Sequence, residues 1–121
     1  MLVRICLSYI CFLLTIKIAF ADIININNEQ IKELSKINVQ IVDVRRSSEW
    51  NQTGVVPNSI LLTFFDKKGN YNLDEWYKQL RLKVNEGEPI ILICRTGRRT
   101  KIIAEMIDKK KMKFSIAFFK F

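Results

Sequence analysis

The chain contains no histidine. That absence removes the imidazole base that activates a nucleophile in Cys-His and Ser-His arrangements, and imidazole metal ligation with it. Cysteine is scarce as well. Cys6 and Cys11 lie in an apolar amino-terminal stretch, and Cys94 stands alone in the remainder. One thiol builds neither an internal disulfide nor a structural zinc site, so no metal and no other cofactor is expected. Acidic residues are outnumbered, 12 against 20 Lys and Arg, which suits a small anionic substrate. The basic residues are scattered, apart from Lys109-Lys110-Lys111, read as a solvated helix end. No nucleic-acid-binding motif accompanies them, so nucleic acid is not an expected partner. There is no internal repeat and no low-complexity linker, and 121 residues make one small domain.

Residues 1–21 read as a secretory signal peptide. Arg4 supplies the positive start, Ile5 to Ile16 the apolar segment, and Ala19-Phe20-Ala21 a small-x-small cleavage site before Asp22. The apolar stretch is short for a membrane span, so cleavage is preferred to retention as an anchor. Bulky Tyr9 and Ile10 argue against lipid attachment at Cys11. The expectation is an exported, periplasmic protein whose mature domain covers residues 22–121. Without Arg4 and Lys17 it carries 18 basic against 12 acidic residues, a net charge of +6.

The mature part turns on Pro89-Ile90-Ile91-Leu92-Ile93-Cys94-Arg95-Thr96-Gly97-Arg98-Arg99-Thr100. A short, wholly apolar, β-branched run reads as a buried strand of a parallel sheet. Cys94 then lies at the carboxyl end of that strand, where open α/β sheets place their ligands. The loop amides and the amino end of the next helix form a nest that favours negative charge and a reactive thiolate.

With the upstream stretch Ile41-Val42-Asp43-Val44-Arg45-Arg46-Ser47-Ser48-Glu49-Trp50 and the later Gly54-Val55-Val56-Pro57-Asn58-Ser59, this segment resembles the rhodanese family of sulfurtransferases. The likeness runs over roughly residues 27 to 118, and Cys94 to Arg99 matches the family's six-residue active loop. It implies that Cys94 attacks the outer sulfur of thiosulfate or a similar donor. Sulfite leaves, and Cys94 carries a persulfide until cyanide or a thiol accepts the sulfur. Arg95, Thr96, Gly97, Arg98 and Arg99 form the substrate-binding loop. Its amides stabilise charge, Gly97 permits the tight turn, and the arginines either recognise the anion or, at Arg99, brace the loop. Asp43, Arg45 and Glu49 are read as support, with Asp43 accepting hydrogen bonds near the loop and Arg45 pairing with Glu49. Trp50 is read as core.

Two other readings compete with this one. A cysteine phosphatase needs five residues between Cys and Arg; here there are four, and Thr100 occupies the phosphatase arginine's position. A non-catalytic or truncated binding module is the third. Members of the family usually continue through a glycine pair and a final helix, whereas this chain ends at Phe121 on an aromatic-rich segment. The expectation is a sheet face open to a protein partner. Val55 also replaces a common histidine, and Asn58-Ser59 a common Gly-Ala.

The elements alternate, which implies a parallel α/β sheet with helices on both faces. Helices are expected at Glu29 to Ser35, capped by Asn27 or Asn28, and, capped by Ser47 or Ser48, through Gln52. Two more are expected at Leu73 to Val84, capped by Asn72 with Glu75, and at Arg98 to about Lys110, with Ile102, Ile103, Met106 and Ile107 inward. Strands are expected at Val39 to Val44, Ile60 to Phe65, Pro89 to Cys94 and Phe114 to Phe119.

Overall fold

The computed structural model describes residues 23–25, 27–110, 112 and 115–120. The expected leader, residues 1–21, lies outside them. In chain order the elements are β1 (Ile23–Asn25), α1 (Asn28–Lys36), β2 (Gln40–Asp43), α2 (Ser47–Thr53), β3 (Ile60–Leu61), α3 (Leu73–Arg81), β4 (Pro89–Cys94), α4 (Arg98–Lys109) and β5 (Ser115–Lys120). The strands form one parallel sheet in the order β1-β5-β4-β2-β3. The expected α/β architecture is therefore present. β4 is central, pairing Leu92 with Val42 on one side and with Phe118 on the other.

Central placement explains why β4 is apolar throughout. Successive side chains point to opposite faces, and both faces are covered. Ile90, Leu92 and Cys94 join Val42 and Val44 in a core completed by Leu73, Trp76 and Leu80 of α3 and by Ile103, Ala104 and Ile107 of α4. Ile91 and Ile93 join Ile41 on the other face, beneath Ile31 and Leu34 of α1.

The helices begin where local chemistry satisfies their first amides. Asn27 Oδ1 accepts from the Gln30 N–H at 2.9 Å, while Gln30 Oε1 accepts from the Asn27 N–H at 3.0 Å, a reciprocal box. Asn72 Oδ1 accepts from the Glu75 N–H at 3.1 Å. At α2 neither serine is the cap. Arg46 holds that position, and the Glu49 carboxylate reaches back to its N–H at 3.0 Å.

Several expected boundaries and faces shift. α3 stops at Arg81, where the Lys83 amide tightens onto the Leu80 carbonyl in an i→i−3 bond at 2.9 Å. The buried stripe of α4 is Thr100, Ile103, Ala104 and Ile107, with Ile102 and Met106 only partly buried. That is the three-and-four spacing of a single helix face. Trp50 is likewise partly rather than fully buried, since α2 is a short helix with no fully buried residue. β3 shrinks to two residues, although the Leu62 and Phe64 amides still donate to Asp43 and Val44 carbonyls. β1 was not foreseen; its three residues carry too little pattern to separate them from the end of the leader.

Candidate active site

The site is built at the carboxyl end of β4. Gly97, at φ +81°, is the amino-terminal cap of α4. Left-handed backbone there suits a residue without Cβ, and it folds residues 95–97 back over the strand end. The Gly97 N–H donates to Cys94 Sγ at 3.1 Å. Thr100 Oγ1 lies 3.6 Å from the same sulfur, within hydrogen-bond range for an atom of its radius, and donates to the Gly97 carbonyl at 3.0 Å. Cys94 has no exposed surface in this conformation, and it is the free thiol of the described residues.

The expected loop residues separate into two groups. Arg95, Thr96 and Arg98 are exposed. Arg99 is not available in the same way: its guanidinium grips Glu49 with two bonds of 2.8 and 2.6 Å. Those bonds, helped by the Arg46 N–H, hold the Glu49 carboxyl down at about 2 despite burial that opposes the charge, and they raise Arg99 further. Glu49 therefore pairs with Arg99, not with Arg45 as the sequence suggested. In the extended chain Asp43 and Arg45 are two residues apart and share a side. Arg45 donates to both Asp43 oxygens, at 3.0 and 2.8 Å, and its remaining donors reach Thr53 Oγ1 at 2.7 Å and the Gly54 carbonyl at 2.8 Å. Both partners are fully buried, and Asp43 accepts from Arg45 rather than from the active loop.

Beside the loop lies a cleft of about 620 Å³ lined by Arg46, Lys67, Lys68, Arg95, Arg98 and Arg99. Its acids, Glu49 and Asp66, are already engaged. Asp66 accepts from the Lys68 and Asn70 amides at 2.8 Å each, and these bonds, led by that of Asn70, lower its carboxyl. The cleft is therefore electropositive. Arg46, Lys67, Lys68 and Thr100 were missed from sequence. Lys67 and Lys68 read only as a loop, and no local signal places them opposite residues thirty positions on. Thr100 was considered only as a missing phosphatase arginine, although its helical spacing from Gly97 puts a hydroxyl over the cap. Among the described residues no cluster of acidic and thiol groups fits a metal ion.

A cysteine at the end of a central parallel strand, beneath a glycine-capped helix and beside a cationic cleft, brings a thiol and an electropositive surface together in one α/β domain. The rhodanese-like domain family matches residues 27–119. The rhodanese domain-containing protein CG4456 of Drosophila melanogaster is 34% identical over 96 residues, which cover 76% of this chain and 86% of that protein. The chain belongs to the rhodanese-like domain family. A 3-mercaptopyruvate sulfotransferase structure from Escherichia coli shares the fold, with a TM-score of 0.57 at 17% identity; the match covers 80% of this chain and 40% of that one.

Proposed function

We propose that this domain is a sulfurtransferase that moves sulfane sulfur from thiosulfate or a similar anionic donor to cyanide or a thiol through a persulfide on Cys94. The observation that carries this reading is the Gly97 amide donating to a buried thiol beneath the loop that lines an electropositive cleft. The cleft gathers the donor dianion. Because Cys94 is covered, the turn at residues 95–97 must lift for its sulfur to reach the donor. The thiolate attacks the outer sulfur, the S–S bond of thiosulfate breaks, and sulfite leaves with the electron pair. The acceptor then attacks the outer persulfide sulfur, and Cys94 departs as thiolate. Donors of the loop and of the start of α4 stabilise the charge. Arg95 and Arg98 meet the donor's oxygens; Asp43 and Arg45 tie the end of β2 to the carboxyl end of α2.

Export is part of the same proposal, on the signal-peptide pattern of residues 1–21.

Intact mass before and after thiosulfate tests the chemistry. The wild-type chain gains one sulfur atom, cyanide removes it, and Cys94→Ser gains none. No gain in a folded wild-type chain overturns the reading and favours a binding role.

A further inference from the structure

We infer that Thr100 is a catalytic residue of this site, a hydroxyl donor that moves onto Cys94 Sγ when the sulfur becomes anionic. The inference rests on the sulfurtransferase reading above and adds a role that neither the loop amides nor the arginines supply.

The geometry gives Thr100 two acceptors and one proton. Its Oγ1 is 3.0 Å from the Gly97 carbonyl and 3.6 Å from Cys94 Sγ. A hydroxyl donates one hydrogen bond at a time while accepting others. With a neutral thiol, the hydroxyl stays on the Gly97 carbonyl and the S–H donates to Oγ1. With a thiolate, the sulfur has no proton to give and is the stronger acceptor, so the hydroxyl rotates onto it.

The rotation leaves nothing stranded. The Gly97 carbonyl also accepts the Lys101 N–H at 3.1 Å, so it keeps a partner when the hydroxyl departs. Thr100 is fully buried, and no exposed solvent competes for its proton. The hydroxyl lies on the inner stripe of α4 with Ile103, Ala104 and Ile107, on the side that faces the sulfur.

The two half-reactions feel this donor differently. In the first, the Cys94 thiolate attacks the outer sulfur of thiosulfate, a new S–S bond forms, and sulfite takes the electron pair of the old one. The inner sulfur is then uncharged, and the hydroxyl returns to Gly97. In the second, an acceptor such as cyanide bonds to the outer sulfur, the S–S bond breaks, and its electron pair passes to Sγ. Charge develops on Sγ in that step, where the Thr100 proton can follow it. A stabilised thiolate is a better leaving group and a slower nucleophile, so Thr100 serves discharge more than loading.

The test separates the half-reactions by rapid mixing, with thiosulfate as donor and cyanide as acceptor. Thr100→Ala and Thr100→Val are expected to discharge a preformed persulfide about 10- to 100-fold more slowly, the worth of one hydrogen bond to a charged group. Loading by thiosulfate falls less. Thr100→Ser, which loses the same methyl as the alanine variant but keeps the hydroxyl, stays within about threefold of wild type in discharge. A structural defect would slow both steps together and would not distinguish serine from alanine. Equal discharge by the serine and alanine variants overturns the inference and leaves the sulfurtransferase reading intact. A wild-type chain that takes up no sulfur overturns both.

Discussion

Replacing Glu49 by glutamine removes one charge from the brace between α2 and the active loop. Glu49 and Arg99 side chains are only 14% and 23% exposed, and their closest approach is 2.6 Å. Holding the carboxyl at about 2 rather than 4.5 corresponds to a ceiling of about 3 kcal/mol. The pair is near the surface, so screening and side-chain entropy reduce this to about 1–2 kcal/mol. The sign follows from the lowered value: the contribution is complete above pH 4.5 and is lost as the pH falls toward 2. Urea unfolding of wild type and Glu49→Gln, followed from pH 7 down to pH 2.5, measures it. The variant is expected to be less stable by about 1–2 kcal/mol at pH 7, which is a fall of several degrees in melting temperature for a domain of this size. The gap should narrow steadily below pH 4.5. A gap that stays constant across that range would refute the assignment, because a difference in packing or neutral hydrogen bonding does not titrate.

Two further outcomes are expected. Asp43→Ala leaves the buried Arg45 guanidinium without its carboxylate and should cost about 3–5 kcal/mol in urea unfolding; a loss under about 1 kcal/mol would show that the cation finds water or another acceptor. Because Cys94 is fully covered, a bulky aromatic disulfide reagent should label it at least about tenfold more slowly in native buffer than in urea. Equal rates would show that the turn over the sulfur is already open.

The parts of the molecule that were legible in the sequence are those that chemistry fixes locally. The run Ile90 to Ile93 announces a strand buried on both faces, and Asn27 with Gln30 or Asn72 with Glu75 lies within one turn of its own partner. Cys94 and Gly97 belong to the same short loop. What failed was pairing at a distance. Glu49 lies four residues from Arg45, but Arg45 precedes the helix and is drawn to Asp43, while Glu49 meets an arginine fifty positions away. The α4 stripe was misassigned by one position because consecutive isoleucines leave the rotation of a short helix ambiguous, and Thr100, the polar member of the true face, broke the apolar pattern. Lys67 and Lys68 reach the cleft only because Asp66 and Asn70 close a turn, Asp66 N–H to Asn70 carbonyl at 3.0 Å, whose position in the fold no neighbouring residue encodes.

The strand order also has a meaning in time. β1, the first strand synthesised, bonds within the sheet to β5, the last, and β4 needs β5 along all six of its residues. Neither β1 nor one whole edge of the cysteine strand has its partner until β5 has left the ribosome. Until then the Cys94 thiol sits on an incomplete sheet with unpaired backbone amides and carbonyls, a state prone to mispairing. Pairings this remote along the chain are slow to form.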